Sequence, residues 1–480
     1  MASSSLHPIV AQMHPSPEQK PAVTERGRDV AVTAGAGTGK TRTLVARYLS
    51  LLAEGLPLRS VVAITFTKKA AREMRNRVRE EVRRYLERTD LAAQERGRWQ
   101  GLYTALDAAR IGTIHSLCGE ILRWHPAEAG VDPRFEVLEE GHAGILRQRS
   151  IDEALAWAAD DEESVILFSL LGEWDLRRTL DSLTRQRLDV EDAFAAPPED
   201  LLAHWERALQ ARQHQALDGL VGQAQWQEAV AVLKRNAASD SDDKIEMQRQ
   251  TALAAIGQSG DSLADRLAAL RQLAEIKLGG GRQGAWPDGK AQLVDVKDAL
   301  RSLVSLWKPE RELLELSLNE MDEQLARALP ALREMLSVAC QRYEEGKEQR
   351  NALDFDDLEQ GAVALLREHD GVRERWQQEV RAILVDEFQD TNGRQRDLVQ
   401  LLNSDEGKLF VVGDAKQSIY RFRGADVTVF RAVRERVQET GGATLQLQKS
   451  YRAHRELVEG LNVLLRRVLG DEPDPSRPWA

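Results

Sequence analysis

Cysteine is nearly absent: Cys118 and Cys340 are the only two in 480 residues. Their spacing fits neither a disulfide framework nor a metal knuckle, and both read as packing residues. Long apolar runs are missing too, and no stretch approaches the ~18 residues of a membrane-spanning helix. The first 15 residues are polar, carry Pro8 and Pro15 and contain no apolar signal core, so a cytoplasmic protein is expected. Nor is there an excess of positive charge. A net charge of −11 argues against a surface coated in nucleic acid, yet leaves room for a local basic groove.

The chain is too long for one hydrophobic core, and about three domains is the prior. Strand-like runs occur at Val30–Thr33, Val61–Thr65, Ala382–Val385, Leu409–Val412 and Thr444–Leu447, with Arg110–Thr113 as a further candidate. Most are short, rich in β-branched residues and followed by polar or glycine loops, as fully buried parallel strands of an α/β sheet are. Residues 121–344 read differently. They are rich in Ala, Leu, Arg, Glu and Gln with helical periodicity, as in Ile145-Leu-Arg-Gln-Arg-Ser-Ile-Asp-Glu-Ala-Leu-Ala-Trp157. A loop of that length inside a compact domain is implausible, so the segment is expected to be an inserted, mostly helical domain.

The most telling string is Val30-Ala-Val-Thr-Ala-Gly-Ala-Gly-Thr-Gly-Lys-Thr41. An apolar run stops at the loop Ala34, Gly35, Ala36, Gly37, Thr38 and Gly39, and Lys40-Thr41 then open an amphipathic helix ending near Gly55. Such a loop cradles nucleotide phosphates: its amides form an anion nest, Lys40 would reach the outer phosphates, and the Thr41 hydroxyl would ligate Mg²⁺. The usual first glycine is replaced by Ala34. Strand, loop, Lys-Thr and helix fall in register, which a glycine turn that binds nothing would not require.

A second signature is Ala382-Ile-Leu-Val-Asp-Glu-Phe-Gln-Asp-Thr391, where an apolar strand delivers adjacent carboxylates to its C-terminal end. Asp386 would hold Mg²⁺ and Glu387 would deprotonate the attacking water. Alone, Asp-Glu after a strand is weak, since acids often cap helices. A third string, Leu409-Phe-Val-Val-Gly-Asp-Ala-Lys-Gln-Ser-Ile-Tyr-Arg-Phe-Arg-Gly-Ala425, places Gln417 to sense the γ-phosphate. Tyr420, Phe422 and Arg423 follow and could stack bases and attract a polymer backbone, with core packing of the aromatics as the alternative. Phe66, in Thr65-Phe-Thr-Lys-Lys-Ala-Ala-Arg-Glu-Met74, is another stacking candidate. The basic stretch beyond it is partly neutralised by Glu73, Glu80 and Glu81 and could be only a solvated face. Ile111-Gly-Thr-Ile-His-Ser-Leu117 offers Thr113 and His115 as backbone-binding groups, although a lone histidine is more often structural.

Together these strings resemble the UvrD/Rep-like superfamily 1 DNA helicases, in the order AGAGTGKT, TFTKKAAREM, IGTIHSLC, LVDEFQDT, VVGDAKQSIYRFRGA and LQKSYRAH. The KQSIYRFRGAD form and the long helical insertion look more like the AddA/RecB branch. The resemblance implies an α/β fold: a RecA-like P-loop NTPase domain with a parallel sheet, formed by residues 1–120 and 345–440 and interrupted by the insertion. Residues 441–480 would begin a second RecA-like domain and end in a disordered, proline-rich tail. It also implies that Gln19 reads adenine, that Arg42 touches nucleotide, that Tyr451 stacks on adenine and that Arg452 meets the γ-phosphate. Phe66 and Phe422 match single-strand stacking positions. Asp354-Phe-Asp-Asp-Leu358 also resembles a family string, but helix capping is the only role its residues suggest.

The implied activity is ATP- and Mg²⁺-dependent DNA translocation and unwinding, 3′→5′. Single-stranded DNA or DNA with single-stranded ends would be the substrate. The possible protein partner is another component of a helicase–nuclease, and no membrane is involved. The sequence stops about 30 residues past the Tyr451-Arg452 pair, before the family's later motifs. An arginine finger from the second motor domain is worth about 10³–10⁵ in rate, so this chain alone is expected to bind nucleotide but hydrolyse it poorly. One other reading stands beside this one, a non-motor, ATP-gated module that binds DNA or a partner; a P-loop ATPase with some other substrate does not explain why phosphate-loop, stacking and sensor strings occur together in this order. Glu387 favours an enzyme, because a pure switch needs no base.

Overall fold

The strand runs collect into one parallel sheet. A computed structural model describes residues 6–190, 200–257, 262–404, 407–419 and 427–469. They divide into two compact units, residues 1–145 with 345–480 and residues 146–344.

The first unit is built on β1 (Val30–Ala34), β2 (Val61–Thr65), β3 (Ile111–Thr113), β6 (Ala382–Val385), β7 (Leu409–Gly413) and β8 (Ala443–Leu447). The order across the sheet is β3-β2-β6-β7-β1-β8, every pairing parallel. A second, two-stranded sheet joins β4 (Glu136–Val137) to β5 (Ala352–Leu353). Alternate residues of each strand enter opposite cores, because successive side chains point to opposite faces. Val30, Val32, Leu384 and Val412 pack with the helices Lys40–Ala53 and Lys68–Leu86. Ala31, Ile383, Val385 and Val411 pack with Ile114–Trp124, Phe355–Glu368 and Val427–Glu439. Covering both faces explains why the strands read as continuous apolar runs.

Two expected boundaries move. β8, assigned from sequence to the start of a second motor domain, pairs with β1 from Val30↔Ala443 to Ala34↔Leu447. It completes the first sheet because its register continues that of its neighbour. The helical unit begins at Leu146 rather than at 121, because Ile114–Trp124 is committed to one face of the sheet.

Among the described residues the second unit has helices and no strand. Trp226, Trp286 and Trp307 sit in one apolar cluster, and Leu155, Leu176 and Met335 belong to another. Gln213 donates to the carbonyls of Leu313 and Leu316 and so closes the C-terminal end of the helix Gly289–Leu314. No helix among the described residues is long and apolar enough to cross a membrane.

Candidate nucleotide site and polymer-facing edge

Most of the described candidate groups in the first unit lie at or beyond the C-terminal ends of parallel strands, where open α/β sheets bind ligands. The loop after β1 turns through Gly37 (φ +78) and Gly39 (φ +86), left-handed positions that glycine adopts without steric cost. The helix Lys40–Ala53 then begins at Gly39 with no side-chain cap. Its first-turn amides therefore suit an anion, which the helix dipole also favours. Thr38 ties the loop to itself through its hydroxyl bond to the Gly35 carbonyl (2.9 Å). Thr41 stands beside Lys40 on the first turn.

Neighbouring segments press on this loop. Gln19, 5% exposed, donates its amide to the Thr38 carbonyl (3.1 Å) and accepts from the Ser16 amide (3.0 Å). A Cβ on Gly39 would lie 2.7 Å from the Gln19 amide nitrogen. Beyond β8, the Tyr451 amide donates to the Gly37 carbonyl (2.8 Å), and Ser450 Oγ bonds the Ala36 carbonyl (3.3 Å). A Cβ on Gly37 would meet Arg452 Cβ at 2.5 Å, so both backbone conformation and lack of room demand glycine there. Tyr451 and Arg452 thus lie directly against the loop, with exposed side chains. Arg42 instead donates to the Met13 carbonyl, within the same unit.

Lys40 and Glu387, 347 residues apart, form an ion pair with Nζ 2.5 Å from Oε2. Glu387 has a left-handed backbone (φ +51), which costs a non-glycine residue about 1–3 kcal/mol. Asp386, 8% exposed, is anchored by its amide to the Ile64 carbonyl (2.9 Å). Burial, reinforced by the Glu387 charge and opposed by Lys40, pushes its carboxyl up to about 6. Burial and Glu387 likewise push Asp390 up to about 6. Three crowded carboxyls beside one ammonium favour an added cation. No cluster of three or more His, Cys, Asp or Glu among the described residues could hold a metal by itself. The Asp386 carboxylate and the Thr41 hydroxyl are oxygen donors of the kind that Mg²⁺ takes, one or two from protein with water completing the shell. Gln417 donates to Asp414 Oδ2 (2.6 Å) just beyond β7.

Beside β2 and β3 lie the polymer candidates that fall among the described residues. Phe66 follows β2 and is half-buried. Thr113 is 9% exposed and caps the helix Ile114–Trp124, its hydroxyl accepting from the Ser116 amide (3.3 Å). His115 stacks on Phe355 (centroids 4.3 Å apart) and bonds Glu359 through Nε2 (2.9 Å). Tyr420, Phe422 and Arg423 lie outside the described residues.

Sequence reading overlooked Glu359. Its carboxylate accepts from His115, Asn392 (2.9 Å) and Gln395 (2.6 Å). Burial works against its charge, but these bonds outweigh burial and hold it below the usual carboxylate range. A lone Glu after Asp354-Phe-Asp-Asp-Leu358 gives no local signal of this. The capping expected of that string is present: Asp354 and Asp357 form a reciprocal capping box, and Lys347 pairs with Asp357.

A parallel sheet with a glycine loop after β1 and a buried acid after the non-adjacent β6 defines an α/β P-loop protein with a RecA-like core. Residues 15–438 match the model for the UvrD/REP helicase N-terminal domain, and the chain belongs to that family. Among its relatives is an ATP-dependent helicase/nuclease subunit from Bacillus cereus (strain B4264), 28% identical over 498 aligned residues. That alignment covers 95% of this chain and 39% of the relative. The same identity over 493 residues, with the same coverage, relates it to the protein of that name in Bacillus thuringiensis (strain Al Hakam). The chain thus spans about two fifths of the length of these curated relatives.

Proposed function

We propose that this chain is the ATP-binding part of a DNA helicase or translocase of the helicase–nuclease type, moving 3′→5′ on single-stranded DNA. The observation that carries the reading is the Lys40–Glu387 ion pair beside an uncapped helix N-terminus. In this reading the amides of residues 35–41 and the Lys40 ammonium bind the triphosphate. Thr41 and Asp386 would hold Mg²⁺, which supplies charge neutralisation at the phosphate oxygens when bound. Glu387 orients the attacking water and takes its proton, Gln417 senses the γ-phosphate, and Tyr451 and Arg452 approach the nucleotide from the other side of the loop. Gln19 acts at adenine and Arg42 near the loop.

Strand order supports the division of labour. Among the described residues, the edge from β6 to β8 carries the nucleotide groups and that from β2 to β3 carries Phe66, Thr113 and His115, so the two sets adjoin at β2 and β6. Stacking and phosphate contacts, rather than base readout, would bind the strand. The names of the relatives favour a helicase–nuclease assembly in which a partner protein takes part.

Lys40→Ala tests the site. Calorimetry should show Mg·ATP affinity falling at least about tenfold, the loss expected for one charge-assisted phosphate contact, and any single-strand-stimulated hydrolysis should vanish. Unchanged affinity would overturn the assignment.

A further inference from the structure

In the proposed function Lys40 turns from Glu387 Oε2, 2.5 Å away, to the phosphates of a nucleotide. Some other group must keep the Glu387 carboxylate in place once the lysine is engaged. Among the described residues, the one other side-chain donor to that carboxylate is Gln389, 1% exposed, whose Nε2 lies 3.0 Å from Glu387 Oε2.

The orientation of the Gln389 amide is fixed by its partners. Its Oε1 accepts from the Asp414 main-chain amide (2.9 Å), and only an oxygen can do so. The NH₂ group must then face Glu387 Oε2 and Asp390 Oδ2, the latter at 3.1 Å. The Gln389 main-chain carbonyl accepts from Ser418 Oγ (3.1 Å), and the Asp414 carboxylate accepts from the Gln417 side-chain amide (2.6 Å). Gly413 keeps the space open: a Cβ there would lie 2.7 Å from Gln389 Oε1. A continuous chain of hydrogen bonds therefore runs Lys40–Glu387–Gln389–Asp414–Gln417. The Lys40 and Gln389 bonds both fall on Oε2, so Oε1 is the atom left to face a water.

We propose that Gln389 is a positioning residue for ATP hydrolysis: it holds the Glu387 carboxylate when Lys40 turns to the phosphates, and links that carboxylate to the Gln417 segment. This rests on the reading of Glu387 as the base.

The test is a double-mutant cycle on the full chain with Glu387→Gln and Gln389→Met, which keeps the size and removes both bonds. Single-turnover ATP hydrolysis is measured with enzyme in excess, and Mg·ATP affinity by calorimetry. Gln389→Met should slow hydrolysis about 10–100-fold, a fraction of the ~10²–10⁴ that a positioned base supplies, while Mg·ATP affinity stays within about threefold. In the Glu387→Gln background it should cause no further loss, because a residue acting through Glu387 has nothing left to position. Gln389→Glu, which keeps the Asp414 contact but sets an oxygen against two carboxylates, should be at least as slow. If Glu387→Gln hydrolyses like the wild type, the reading of the base fails and this inference fails with it. If Glu387→Gln is inactive while Gln389→Met is unimpaired, or if the two losses multiply, only the role of Gln389 is overturned.

Discussion

The two units of this chain solve the burial problem differently, and only one of the solutions creates a place for chemistry. In the first unit, parallel strands are covered on both faces, so polar side chains are driven to the strand ends. Residues distant in sequence, such as Lys40 and Glu387, meet there. In the second unit, helices bury stripes against one another around Trp226, Trp286 and Trp307, and two of its buried polar residues serve the packing. Gln213 closes a helix end, and Glu246 is bound by Arg249 (2.6 Å). A sheet gathers functional groups along one edge as a consequence of its own topology. A helical packing unit has no such edge.

The comparison can be broken most forcefully from the helical side. Trp307, 1% exposed, fills the second unit's core, and Trp307→Ala should cost about 3–5 kcal/mol. Differential scanning calorimetry should show that unit melting earlier, with Mg·ATP affinity of the folded chain unchanged. A matching fall in ATP affinity would show that the helical unit shapes the site.

Glu359 sharpens the contrast from the other side, since it joins His115 to the helix Gly393–Leu402 that follows the acidic strand. Glu359→Gln should destabilise the chain by about 1.5–3 kcal/mol near neutral pH, the range for bonds to a charged group. Because the folded-state value lies below 4.5, the stabilisation is fully present above the unfolded-state value and is lost as pH falls through the folded one. Urea titrations should therefore show the gap between wild type and variant narrowing below about pH 4.5. A constant gap would place the effect in packing, as in the helical unit.

Legibility in sequence followed the same division. The central strands of the large sheet were visible because burial on both faces leaves an unbroken apolar string, whereas the two-residue strands β4 and β5 were missed; the glycine loop was visible because φ values of +78 and +86 leave little choice of residue. The helical insertion could be read only as a class: amphipathic stripes state that a helix packs, not against what. β8 was placed in the wrong domain because pairing with β1 is a long-range choice that five residues do not encode. Thr113, a candidate backbone-binding group in the sequence, also caps a helix through its hydroxyl, which its string does not reveal. Gln389 and Glu359 were missed because their roles depend on partners such as Asp414 and His115, brought close only by the fold.

The strap of chain after β8 has a further consequence. Residues 448–452 cross the glycine loop in irregular backbone, held by the Tyr451 amide, the Ser450 hydroxyl and two amide bonds to Glu18. Lys449 and Arg452 are exposed on it, and both are trypsin targets. Exposed irregular backbone is where proteases cut, so limited digestion should nick the chain there, and Mg·ATP should slow the cut severalfold. Occupancy of the glycine loop would then be legible from outside as a change in one cleavage rate, without label or dye.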